Sequence, residues 1–327
     1  MKVADEPTEI KSLIRLNDKG PDDFFICCAS FEERCLSSIQ KMGINFQAKY
    51  GVIFMVEDPL YKPQVERNMF RLQSELRKKV IEGIFVITSQ KESTMEGIAQ
   101  LDNILKQWQA KSTGKPYITL DISGFTKIYL LELLHHLAID LDLGIPRMLH
   151  TTQRYLPSKL TQGIEQVTTI PHFYGSPSVD KETVLVLLLG FEPERALAVW
   201  KQFNPAKTIA LITNPPRYGN ADYLKYARDN NAYLLSQPSV EVRDIPPDNP
   251  CAVKNALEAV YDEVKGSYNM VIGPFGTKPQ VAGVFLFCAE HRKVQVVYSY
   301  PGKYTKSYMQ RRPGATLLLP VEPGEEV

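Results

Sequence analysis

The chain repeats itself in order, and that repetition constrains its fold more than any other feature. Val184–Leu197, VLVLLLGFEPERAL, follows the pattern of Phe24–Leu36, FFICCASFEERCL: an apolar run, a small residue, Phe-Glu, then Arg. Thr208–Pro215, TIALITNP, follows Gly51–Pro59, GVIFMVEDP. Ser267–Phe287, SYNMVIGPFGTKPQVAGVFLF, follows Pro116–Leu134, PYITLDISGFTKIYLLELL, so that Thr277-Lys278 falls on Thr126-Lys127. Beyond these, Lys303-Tyr304 falls on Arg154-Tyr155, Leu319-Pro320 on Ile170-Pro171 and Gly324 on Gly175. Any two strand-helix domains share a hydrophobic rhythm. Polar matches in a shared order require more, and they point to an internal duplication.

Within each copy, apolar runs of strand length alternate with segments of helical periodicity. Phe24–Ala29 predicts a strand and Phe31–Lys41 a helix; Val52–Val56 predicts the next strand. Lys62–Val80 places Val65, Met69, Leu72, Leu76 and Val80 on one helical face. Ile84–Thr88 is a strand, and Thr94–Ala110 a helix with Ile98, Leu101, Leu105 and Trp108 on one side. Tyr117–Asp121, the helix Ile128–Leu141, and strands at Pro146–Thr151 and Val167–Ile170 complete the first copy. Alternation of this kind predicts an α/β fold of two tandem Rossmann-like domains with mostly parallel sheets, covered by helices on both faces. The expected organisation is an N-terminal extension over 1–20, a first domain over 21–177 and a second over 178–327, related by a pseudo-twofold with one composite cleft. The boundary is drawn in YGSPSVDKE, Tyr174–Glu182, and the proline-rich stretch Gln237–Pro250 is expected to be a loop over the site.

A hydrophobic content of 44% with 23% charged residues is that of an ordinary globular protein. The net charge of +1 argues against a general electrostatic grip on long nucleic acid or acidic membrane. MKVADEPTEIK lacks the apolar core of a secretory signal, and no run has the length of a membrane helix. Cys27, Cys28, Cys35, Cys251 and Cys288 lie mostly in apolar runs, as buried reduced thiols of a cytoplasmic protein would.

Three constellations carry chemistry. Both Thr-Lys turns open a helix after a strand, where unpaired backbone N–H groups and the helix dipole receive anions. A lysine at that place opposes the dipole unless an anion accompanies it, which singles out Lys127 and Lys278. Arg34 and Arg195 follow the first strand of each copy and either enter the cleft as anion forks or pair with Glu32 and Glu192. Ser30 and Glu33 have the spacing of a helix capping box. The stretch Tyr298–Arg312 interleaves four tyrosines with Lys303, Lys306, Arg311 and Arg312, and Tyr298 or Tyr304 is a candidate to stack a base. The adjacent His135 and His136 face different directions on a helix and do not make a chelating pair. Walker, dinucleotide-binding, Ser-elbow and zinc-helix motifs are all lacking.

A strand ending in small residues, then Gly-Phe-Thr-Lys or Gly-Thr-Lys opening a helix, resembles the signature of CARF domains, the Rossmann-like sensors of cyclic oligoadenylates. Two such units in one chain resemble SAVED domains, built from a tandem CARF-like pair. The resemblance implies ligand contacts at Ser123, Gly124, Thr126 and Lys127 and at Gly276, Thr277 and Lys278. Phe125 departs from the pattern of the first turn. The expected function is recognition of a phosphate-bearing nucleotide, such as a cyclic oligonucleotide messenger, in bacterial antiviral defence. The signal would pass to a partner protein as effector. Alternatives are a metal-independent phosphodiesterase that turns over the same ligand, with no cofactor or metal, and a structural subunit of a defence complex.

Overall fold

The computed structural model describes residues 6–10, 20–43, 46–57, 59–90, 93–154, 161–213, 222–305 and 313–321. In chain order the first part contains β1 (Thr8–Glu9), β2 (Asp22–Ala29), α1 (Ser37–Lys41), β3 (Ala48–Glu57), α2 (Lys62–Leu76), β4 (Val80–Gln90), α3 (Thr94–Gln109), β5 (Ile118–Asp121), α4 (Lys127–His135) and β6 (Arg147–Gln153). There follow β7 (Thr161–Thr169), β8 (Glu182–Leu189), α5 (Pro193–Phe203), β9 (Lys207–Thr213), α6 (Tyr223–Asn230), α7 (Ala232–Leu235), β10 (Val240–Ile245), α8 (Pro250–Val264), β11 (Tyr268–Pro274), α9 (Lys278–Glu290), β12 (Gln295–Tyr304) and β13 (Pro313–Leu318).

The strands form two mostly parallel sheets, one in the order β1-β13-β6-β5-β2-β3-β4 and the other in the order β10-β9-β8-β11-β12-β7. In each, the five parallel strands run, by position in their own copy, third, second, first, fourth, fifth. Both copies are thus built on one doubly wound topology, with a switch point between first and fourth strands. The central strands are apolar throughout because helices cover both their faces: β2 and the inner part of β8 are wholly buried.

Strand pairing divides the chain differently from the expected boundary near 178. One compact unit comprises 1–154 with 312–327, the other 155–311. Of the segment Val167–Ile170, expected in the first half, all but Ile170 belongs to β7, which pairs antiparallel with β12. Reciprocally, β13 returns to pair antiparallel with β6. The residues up to 20 contribute β1, which pairs with β13 and extends the first sheet.

Several elements differ from their sequence expectation for local reasons. Phe31–Lys41 is a 3-10 turn over Glu33–Leu36 followed by the short α1. In this turn Ser30 O accepts from the Asn68 side-chain amide at 2.8 Å. The Ser30–Glu33 capping box is not built. Ser30 Oγ accepts from Glu32 N at 3.3 Å, and Glu33 turns outward to Arg71 at 3.1 Å. Helix α2 ends at Leu76, and Val80 opens β4 instead. Helix α4 continues past His135 as a π-helical turn to Asp140. Of the expected loop Gln237–Pro250, six residues form β10 and Pro250 opens α8; a turn over Gln237–Ser239 and the loop Pro246–Asn249 remain.

Candidate functional site

Helices α4 and α9 are apolar on all sides and buried along most of their length, as a helix beneath a crossover must be. Their polar starts lie at the carboxyl ends of β5 and β11, the fourth strands, beside the switch point of each sheet. Thr126 caps α4, its Oγ1 accepting from Tyr129 N at 3.3 Å. Thr277 caps α9 through a full capping box: its Oγ1 accepts from Gln280 N at 3.3 Å, and Gln280 Oε1 accepts from Thr277 N at 2.9 Å. Lys127 and Lys278 are therefore the first residues of their helices in both copies, and both are half-buried.

The two turns are dressed differently. In the first unit, Gly124 lies flat against β2: a Cβ there would stand 2.0 Å from Cys28 O, so no other residue fits. Asp121 accepts from Ser123 N at 2.8 Å and from the Ser38 hydroxyl, while Ser123 Oγ accepts from Thr151 N at 2.8 Å. Ser123, expected to contact ligand, thus ties β5 to β6 and is fully buried. Phe125, the departure from the family pattern, packs in the core against Phe54 and Tyr129. The Thr126 hydroxyl donates to no described residue. In the second unit, the Thr277 hydroxyl donates to Pro247 O and Gln280 Nε2 donates to Pro246 O at 3.0 Å. The loop Pro246–Asn249 is thereby pinned against the start of α9. Gly276 is buried there, with Gln280 Oε1 only 1.8 Å from where its Cβ would be.

The arginines resolve to buried ion pairs. Arg34 meets Glu32 through two nitrogens, each at 3.0 Å, and its Nη1 donates to Thr151 O at 3.4 Å. Arg195 Nη1 meets Glu192 at 2.8 Å, and its Nε donates to Ser299 O at 2.8 Å. These carbonyls are equivalent. With Phe31 laid on Phe191, Ile26 falls on Val186; Ile26 pairs with Leu120 and Leu120 with Met148, as Val186 pairs with Ile272 and Ile272 with Val296. Counting on from Met148 and Val296 brings Thr151 onto Ser299. Each copy therefore uses a Glu–Arg pair to tie its first strand's loop to the same carbonyl of its fifth strand. Burial disfavours the Arg195 charge, but Glu192 foremost, with the hydroxyl groups of Tyr298 and Tyr304, outweighs it and holds the guanidinium above its ordinary value.

Sequence comparison missed a second duplicated bond. Asn231 Nδ2 donates to Gly190 O at 2.8 Å, as Asn68 Nδ2 does to Ser30 O, and Gly190 is the counterpart of Ser30. Both asparagines are buried, and the loop after the first strand is held in each unit from two sides.

Tyr298 is 4% exposed, with the Arg195 guanidinium 4.3 Å from its ring centre and Phe275 stacked at 6.1 Å. Its ring is core packing and offers no open face to a base. Lys303 is exposed and Tyr304 half-buried at the carboxyl end of β12, which runs parallel to β11, the strand that leads into the Thr277 turn. Tyr155, Lys306, Arg311 and Arg312 lie outside the described residues. All five cysteines are reduced; burial pushes the Cys35 thiol up to about 12 and Cys27 well above its ordinary value, so neither is a ready nucleophile. Glu258, Glu290 and His291 cluster where α8 meets the end of α9, away from Lys278. His291 Nε2 lies 2.8 Å from Glu258, and Lys254 takes Glu290 at 2.7 Å, which makes this an ion-pair network between helices. No described helix is long and apolar enough to cross a membrane.

No protein-family model matches the chain, and no curated protein matches it. Among solved structures it is similar to a type III CRISPR defence DNA nuclease activated by cyclic oligoadenylate, with 10% identity and a TM-score of 0.49 over 81% of this chain. The chain spans 63% of that nuclease's length. It is also similar to the cytoplasmic domain of a prokaryotic cation chloride cotransporter, with 10% identity and a TM-score of 0.23, covering 86% of this chain and 96% of that one.

Proposed function

We propose that the protein binds a phosphate-bearing nucleotide, each Thr-Lys turn receiving a phosphate, and that it acts as a sensor. The observation that carries this reading is the equivalent placement of Lys127 and Lys278. Each is the first residue of the buried helix that follows the fourth strand, beside the switch point of one of two sheets of the same topology. Ligands of open α/β sheets bind there, and a lysine at a helix start is compatible with the dipole when an anion is bound beside it. Gly124 lets the first turn lie against its strand, and Thr126 has a hydroxyl proton to give. In the second turn Lys278 supplies the charge, while the Thr277 hydroxyl is engaged by Pro247. Arg34, Arg195, Ser123 and Tyr298 shape the site without touching ligand.

The resemblance of the two turns to CARF and SAVED domains extends the reading to a cyclic oligonucleotide, cyclic oligoadenylate foremost, as messenger in antiviral defence, with a protein partner receiving the signal. Calorimetric titration of the purified chain with cyclic and linear oligoadenylates and with inorganic phosphate tests it. Binding is expected for a cyclic oligonucleotide, weakened about tenfold to a hundredfold by Lys127→Ala and by Lys278→Ala, since hydrogen bonds to charged groups contribute ~1.5–3 kcal/mol. If no nucleotide binds, or both variants bind as the parent does with unchanged circular dichroism, the reading fails.

A further inference from the structure

The two Thr-Lys turns part at the residue three places after each capping threonine. Tyr129 and Gln280 stand at equivalent positions: the backbone N–H of each donates to its cap, Thr126 or Thr277, at 3.3 Å, and both side chains are fully buried. Each also reaches the carboxyl end of its unit's third strand, by different chemistry. The Tyr129 hydroxyl lies 3.3 Å from Ser89 Oγ on β4. Gln280 is shorter and engages the backbone with both ends of its amide. Its Oε1 accepts from Thr277 N at 2.9 Å, and its Nε2 donates to Pro246 O, just past β10, at 3.0 Å and to Thr213 Oγ1, at the end of β9, at 3.1 Å. Thr213 Oγ1 in turn donates to Leu189 O, at the end of β8, at 3.1 Å. The glycine of each turn answers to a different neighbour: Gly124, two places before its threonine, to Cys28 O, and Gly276, one place before, to Gln280 Oε1. Gln280 thus fastens Pro246 to the second turn, and the next residue, Pro247, brings its carbonyl to the Thr277 hydroxyl. Pro247, Asp248 and Asn249 are buried, and Asn249 caps α8.

We propose that Gln280 is a positioning residue that makes the two turns unequal receivers of phosphate. A hydroxyl has one proton to donate. With Pro246–Asn249 held against the second turn, the Thr277 proton goes to Pro247 O, and a phosphate there meets Lys278 and backbone N–H groups without a hydroxyl. In the first turn Tyr129 holds Ser89 instead, and the Thr126 hydroxyl donates to no described residue, so it joins Lys127 on the phosphate. Two phosphates of one ligand are therefore held unequally, and the second gains a hydroxyl only when Gln280 lets the loop go. The inference rests on the turns receiving phosphate; it adds which residue sets their inequality.

A double-mutant cycle read by calorimetric titration of the full chain with cyclic oligoadenylate tests this. Thr126→Val is expected to weaken binding about tenfold and Thr277→Val about threefold or less. Both substitutions remove a helix cap, so loss of the cap does not account for a difference between them. Gln280→Met keeps the length of the side chain and removes its bonds to Pro246 and Thr277. In that background the Thr277 hydroxyl is released: Gln280→Met alone is expected to bind about tenfold more tightly than the parent, and adding Thr277→Val to cost about tenfold. A change in packing alone would leave the two effects additive, whereas the proposal requires them to couple. Gln280→Leu repeats the cycle should the first variant misfold by circular dichroism. Equal losses from Thr126→Val and Thr277→Val in the parent, or additive effects of Thr277 and Gln280 substitutions, overturn the inference while leaving the phosphate reading in place. A parent that binds no cyclic oligoadenylate, or that binds it undiminished in both Lys127→Ala and Lys278→Ala, overturns both.

Discussion

A carboxyl group buried in an apolar helix shows how much a side chain depends on the hydroxyl that meets it. Glu132 lies in α4 at 2% exposure, and the Thr94 hydroxyl donates to it. Burial raises its pKa above the ordinary glutamate value, and the bond from Thr94 opposes that rise only in part. In the unfolded chain the group titrates near about 4.3. Below that value both states are protonated and burial carries no ionisation penalty. As the pH climbs from there through the raised folded value, the unfolded state releases its proton first, so the folded state loses stability. Glu132→Gln removes the ionisation and keeps an acceptor for Thr94. Urea denaturation is expected to show the variant gaining on the parent as the pH rises from about 4 to about 8. An advantage that does not change with pH, or a deficit at the higher value, contradicts this account.

At the level of elements, the loop after the first strand is the feature each copy builds most carefully, and its asparagines are the sharpest test of that. Asn68 and Asn231 each satisfy a buried carbonyl, so Asn68→Ala and Asn231→Ala should each cost about 1–3 kcal/mol in chemical denaturation. A loss at one site and none at the other would break the equivalence. The sequence showed the Phe-Glu…Arg match because both arginines follow their strand at nearly fixed spacing. It could not show the asparagines: Asn68 lies inside α2, whereas Asn231 lies between α6 and α7, and only the folded chain brings both to equivalent carbonyls. The Thr-Lys turns were legible because capping chemistry is local and speaks through neighbouring residues.

At the scale of the whole molecule, the strand-helix rhythm was legible and the exchange of final strands was not. The segments at Ile170-Pro171 and Leu319-Pro320 carry the same pattern, so either could pair with β6 or with β12 on local grounds. The structure chooses the crossed arrangement: β7 joins β12, and β13 joins β6. The chain thus leaves the first unit after 154 and returns to it after 311. The first sheet is accordingly incomplete until the last strand arrives, while the second contains every strand it needs within one continuous segment. A variant ending at Thr305 would remove β13 from between β1 and β6 and leave β6 with an open edge, the arrangement that invites aggregation. Hydrogen exchange of that variant is expected to show protection lost over Arg147–Gln153 and kept over β8 and β11. If β6 stays protected as in the full chain, β7 has moved across to replace the missing strand, and the exchange is a preference that either final strand can satisfy.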